Sequence, residues 1–116
     1  MAQFMLLLYD EPQLFEGLGP EEIQKIIEKY KAWSEKLRNQ GYYVASHKLT
    51  DDAGRTLRRK GGEVRITDGP YSETKEVLGG YYLIEAASYD QALERSRDCP
   101  HLEYGGTIVV RQVDPV

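Results

Sequence analysis

The fold is read from residues 20–41, Pro-Glu-Glu-Ile-Gln-Lys-Ile-Ile-Glu-Lys-Tyr-Lys-Ala-Trp-Ser-Glu-Lys-Leu-Arg-Asn-Gln-Gly. Ile23, Ile26, Ile27, Tyr30, Trp33 and Leu37 recur at helical spacing and form one apolar stripe. Pro20 suits the first helical position, where an amide hydrogen would have no partner. Glu21 and Glu22 follow in the first turn, where the helix dipole favours anions. Gly41 is a left-handed stop. Working outward, Met1 to Tyr9 contains the run Phe4 to Leu8 and reads as a central strand covered on both faces. Tyr42 to Leu49 reads as a second strand. Gly61-Gly62 joins Arg55–Lys60 to Glu63–Asp68 as a hairpin. Leu57 is the one large apolar residue of the first arm, which predicts an exposed outer strand; Val64 and Ile66 alternate with polar residues as in a half-buried one. Gly80 to Ala86 is a further strand. Ser88 and Gln91 form a capping box for a second helix that Pro100 ends. Thr107 to Val113 closes the order.

This order is β-α-β, a hairpin, then β-α-β. It predicts one α+β domain over residues 1–116: a ferredoxin-like, split β-α-β antiparallel sheet, two helices on one face and an inserted β-hairpin. Two helices cover one sheet face, and the simplest cover for the other is a second copy, hence a homodimer. Of the 116 residues, 41% are hydrophobic and 29% charged, ordinary for a globular chain. The net charge of −4 argues against broad nucleic-acid binding. No apolar run spans a bilayer. The start lacks a signal peptide's basic region and cleavage site, and Cys99 is the sole cysteine, both consistent with a cytoplasmic chain. Two scattered histidines and one cysteine give no metal-ligand spacing, and neither Gly-Gly pair opens a phosphate-cradling helix, so no metal or cofactor is expected.

Residues 67–76 read Thr-Asp-Gly-Pro-Tyr-Ser-Glu-Thr-Lys-Glu, followed by Leu78-Gly79-Gly80-Tyr81-Tyr82. This stretch resembles the signature of the YCII-related, or DGPF, proteins, with Tyr71 replacing a phenylalanine. The opening Met-Leu-Leu strand, the Pro-Glu-Glu helix start, Cys99-Pro100 and Gly105-Gly106 extend the resemblance along the whole chain. Many relatives end in Glu-x-Arg-Pro, whereas this chain has Val109-Val110-Arg111-Gln112. The resemblance implies the dimeric α/β-barrel superfamily, which includes isomerases, monooxygenases and a dehydrochlorinase. It also implies a link to genes for extracytoplasmic-function sigma factors.

Asp68 is the leading candidate for chemistry. At the end of a strand beside a cleft, a carboxylate can serve as general base, or as acid if desolvated. Its structural alternative is a turn residue accepting backbone N–H bonds before Gly69-Pro70. His47 is the second catalytic candidate, and His101 is another potential base expected in a turn after the second helix. Tyr71, Glu73, Lys75, Glu76 and Arg111 are candidate ligand-binding residues; a solvated turn is the competing reading of the charged cluster. Arg55, Arg58, Arg59 and Lys60 form a basic run that could meet an acidic partner; the favoured reading is a soluble arm guarded against edge pairing. Two functions follow as expectations: an acid–base enzyme acting on a small organic molecule in a cleft near Asp68, or a non-catalytic ligand- or protein-binding module linked to sigma-factor regulation.

Overall fold

A computed structural model describes residues 1–52, 54–69 and 76–116. In chain order the elements are β1 (Ala2–Asp10), α1 (Pro20–Asn39), β2 (Tyr43–Lys48), β3 (Arg55–Lys60), β4 (Glu63–Asp68), β5 (Val77–Ala86), α2 (Tyr89–Ser96), α3 (Pro100–Glu103) and β6 (Thr107–Gln112). The main sheet runs β2-β5-β1-β6, antiparallel throughout. Setting the hairpin aside, this is the ferredoxin-like strand order, so the expected α+β class is observed.

Helix α1 starts on Pro20 and ends in a Schellman motif: Tyr42 N donates to Leu37 O at 2.9 Å and Gly41 N to Arg38 O at 3.0 Å. That closure needs Gly41 at φ +80°, where a side chain would be strained. Ser88 caps α2 by accepting from Gln91 N, while the Gln91 side chain accepts from Ala87 N. Pro100 does not end α2, which stops at Ser96. It instead occupies the first turn of α3, a third helix, since its missing N–H costs nothing there.

Strand alternation sorts β1. Phe4, Leu6 and Leu8 are buried under the helices with Tyr82, Ile84 and Ala86 of β5, against Trp33, Leu37, Ala92 and Cys99. Met5 and Leu7 point to the opposite face and are only partly buried. β1 is central, as expected, yet among the described residues only one of its faces is covered, not the expected two. The molecule is accordingly thin, 49 × 44 × 18 Å.

The β3–β4 hairpin forms a separate two-stranded sheet turned at Gly61-Gly62, both with positive φ. The expectation of a half-buried β4 fails: Val64 is 51% exposed and Ile66 65%, beside Leu57 at 63%. The alternation is present, but among the described residues no element lies against its apolar side.

Trp33 anchors the core. Its ring meets Tyr82 edge-on at 4.8 Å and its Nε1 donates to Asp98 at 2.9 Å. Trp33→Ala removes both and should cost about 3–5 kcal/mol. Urea unfolding monitored by circular dichroism measures this, and a loss below about 1 kcal/mol would contradict the packing.

Candidate functional site

A cavity of about 730 Å³ opens between α1, from Ile23 to Arg38, and the end of the sheet where β1, β2 and β5 meet. Ile23, Ile26, Ile27 and Tyr30 of α1 form one wall, with Phe15 beside them. Leu8, Gly80 and Tyr82 form the sheet side. Lys31, Arg38 and Lys48 contribute cations, and Glu35 and Asp51 carboxylates. A mostly apolar pocket with a few convergent polar groups is the usual form of a small-molecule site.

Asp10, which is partly buried, and His101, which is buried, supply titratable groups to the cavity. Asp10 ends β1 in phase with Phe4, Leu6 and Leu8, so its carboxyl points to the helix-covered side. The irregularity in β1–β5 pairing at Leu8/Tyr9 leaves Gly79 beside it: a Cβ on Gly79 would lie 3.1 Å from Asp10 Oδ2. Among the described residues, none hydrogen-bonds to that carboxylate. Burial raises the Asp10 pKa above its ordinary 3.8. His101 and Lys48 oppose the shift, while Asp51 and Glu76 reinforce it.

His101 lies in the short helix α3 rather than in a turn as expected, and it is 2% exposed. Its Nε2 faces the Tyr9 carbonyl at 2.7 Å, an arrangement that requires a proton on Nε2. Nδ1 is 3.0 Å from the Tyr30 hydroxyl and, in the neutral ring, accepts from it. Both ring nitrogens are therefore occupied. A Cβ on Gly106 would collide with this ring, so glycine at 106 is a space requirement. The ring holds the peptide that leads into Asp10 and stands over the cavity floor. Burial also pushes the Tyr30 hydroxyl pKa up, keeping that hydroxyl a neutral donor.

The sequence-derived candidates scatter. Asp68 ends β4, is 88% exposed and pairs with Arg55 at 3.1 Å. Among the described residues it does not line the cavity: its strand belongs to the separate hairpin. His47 does reach the cavity, at its outer edge, with Nδ1 2.7 Å from the Tyr81 hydroxyl. Glu76 accepts from the Thr107 hydroxyl at 3.1 Å. Arg111 lies opposite Met5 on the uncovered sheet face, away from the cavity. Tyr71, Glu73 and Lys75 lie outside the described residues. Asp10 was missed although its even-numbered register with the core residues of β1 marks it. Nothing local marks His101.

Residues 2–116 match the family described as the YCII-related domain. The chain belongs to that family. An uncharacterised protein of Rhizobium meliloti strain 1021 is 34% identical over 96 residues, spanning 82% of this chain and 77% of the relative. Among solved structures, the chain resembles 5-chloro-2-hydroxyhydroquinone dehydrochlorinase from Burkholderia phenoliruptrix, determined with 2,5-dihydroxybenzoquinone. The TM-score is 0.54, with 16% identity, over 97% of this chain and 93% of that one. At that identity the likeness shows the shared fold.

The Asp10 geometry has a measurable signature. A carboxyl whose folded pKa lies above its unfolded value favours folding most when protonated. Its contribution therefore falls as pH rises from below 3.8 through the higher folded pKa. Asp10→Asn should remove that portion of the pH dependence and be at least as stable as the parent at pH 7. Carboxyl-carbon NMR should give an Asp10 midpoint above 3.8, and a midpoint below it would contradict the site. Gly106→Ala should destabilise by more than about 2 kcal/mol by displacing His101, measured by urea unfolding.

Proposed function

We propose that this YCII-related domain is an acid–base enzyme acting on a small organic molecule with an apolar body, and that Asp10 rather than Asp68 moves the proton. The observation that carries this reading is the Asp10 carboxyl itself, facing a mostly apolar cavity without a hydrogen-bond partner among the described residues. A purely structural aspartate at a strand end normally accepts hydrogen bonds from nearby donors. Here desolvation strengthens the carboxylate as a base and favours an acidic O–H or C–H of a bound molecule as its partner. His101 fixes the backbone on which Asp10 rides and, when charged, would favour the carboxylate form. With both ring nitrogens engaged, it serves as a positioning residue. Lys31, Lys48 and Arg38 near the opening would favour a substrate that is, or becomes, anionic. The dehydrochlorinase, whose structure is a complex with 2,5-dihydroxybenzoquinone, lends the reading a precedent in fold alone.

The test is a thermal-shift screen of small phenols, quinones and organic acids, followed by turnover of the hits. A ligand at about 100 times its Kd stabilises the fold by about 2.7 kcal/mol. Asp10→Asn should keep most of that stabilisation while lowering turnover by at least about 100-fold. Binding without turnover in either protein would favour the non-catalytic module instead.

The assembly read from the sequence also stands as a proposal. The uncovered sheet face, with Met5, Leu7, Leu83 and Val109, would pair with a second copy and bury more than about 1,000 Å². Light scattering should give twice the chain mass of 13.3 kDa at micromolar concentration, and Val109→Asp should shift the protein towards monomer. A monomeric parent protein would refute the pairing. The buried, unpaired thiol of Cys99 suits a reducing compartment such as the cytoplasm.

A further inference from the structure

Among the described residues, the apolar side of the β3–β4 hairpin stays open: Leu57, Val64 and Ile66 are 63%, 51% and 65% exposed. A two-stranded hairpin alone is marginally stable in water. This one extends about 20 Å, at about 3.4 Å per residue for six-residue strands. The radius of gyration is 16.2 Å, against about 13 Å for a compact domain of this length. Leu57 pairs with Ile66, and Val64 lies next along the same side, so three exposed apolar side chains share one face of the arm. Edge protection accounts for cations on such an arm, yet it leaves this apolar stripe unexplained.

Charge indicates what covers the stripe. Residues 55–68 carry five cations, Arg55, Arg58, Arg59, Lys60 and Arg65, against Glu63 and Asp68, whereas the whole chain is acidic. The opposite composition occurs in the segment that leaves β1 and enters α1. Glu11, Glu16, Glu21 and Glu22 are exposed there, no Lys or Arg occurs between residues 10 and 24, and Leu18 is 38% exposed among them. One surface is basic around an apolar stripe, and the other is acidic around an apolar residue.

We propose that the β3–β4 arm of one copy docks on the acidic β1–α1 segment of a second copy, burying Leu57, Val64 and Ile66. If the second copy's arm returns to the same segment of the first, the contact is closed by a two-fold axis and no open chain of molecules forms. The contact requires neither the sheet faces to pair nor Asp10 to be catalytic. It also sets a partner's arm beside the loop that supplies Phe15 to the cavity.

Lys60 is the only lysine of the arm, which gives a specific readout. Equal amounts of nitrogen-14 and nitrogen-15 protein are mixed and treated with a carbodiimide, which joins amines to carboxylates in direct contact. The expected product is a mixed-isotope peptide pair joining Lys60 to a carboxylate within residues 10–22. Leu57→Asp/Ile66→Asp should abolish that link and weaken arm-dependent association at least about tenfold, with the circular dichroism of the main sheet unchanged. Glu11→Lys/Glu16→Lys tests the other side and should have the same effect. Raising salt from about 0.05 to about 0.5 M should weaken the link as screening shortens. Links from Lys60 confined to one isotope, links to carboxylates elsewhere, or links unaffected by both double variants would each overturn the contact. A dimer that forms with Lys60 linked elsewhere would overturn it while leaving the sheet-face pairing standing.

Discussion

The imidazole of His101 is the constraint on which the site depends. A strand carbonyl turned inward at Tyr9 must find a donor or bear the cost of an unpaired buried acceptor. His101 supplies that donor from α3 and draws the Tyr30 hydroxyl of α1 onto its other nitrogen. One ring thus ties together a strand, the long helix and the short helix. It tolerates no side chain at Gly106, whose backbone N–H returns to the His101 carbonyl at 2.9 Å. The end of β1, and Asp10 with it, is held where alternation directs a side chain towards the helices, but where α1 no longer covers the sheet closely.

The stripe on α1 does two jobs along its length. Trp33, Ser34 and Leu37 are buried against the sheet, where Ser34 bonds the Tyr82 hydroxyl at 2.9 Å. Ile23, Ile26, Ile27 and Tyr30 continue the same stripe but look onto open volume. A hydrophobic period therefore reveals which side of the helix faces inward without revealing whether protein or cavity lies opposite. The Gly79-Gly80 pair acts from the sheet side. Gly80 passes so close to β2 that a Cβ would sit 2.8 Å from the His47 carbonyl.

Local chemistry made the fold legible. Pro20 and Gly41 bounded α1, Ser88 with Gln91 opened α2, and Gly61-Gly62 turned the hairpin. Each of those signals acts within a few residues. The site depends on contacts across the chain, such as the 92 positions separating His101 from Tyr9, and those leave no local pattern. Asp68 stands out in the sequence because the carboxylate of an Asp-Gly-Pro turn is conspicuous. Asp10 was less conspicuous, since its loop partners Glu11 and Pro12 look like ordinary surface. Its register with Phe4, Leu6 and Leu8 was the available clue. The hairpin shows the same limit in reverse: alternation in β4 was visible, but alternation cannot say which molecule provides the burial.

Cys99 offers a view of motion that the static packing does not. Its thiol lies in the core below α1, and burial pushes its pKa up to about 11. Only the thiolate reacts appreciably with alkylating reagents, and both burial and protonation suppress it here. In the folded chain burial and protonation both work against attack on the sulfur, so alkylation requires an opening that exposes it. The rate of thiol alkylation in native buffer is therefore a clock for how often the core around Cys99 opens.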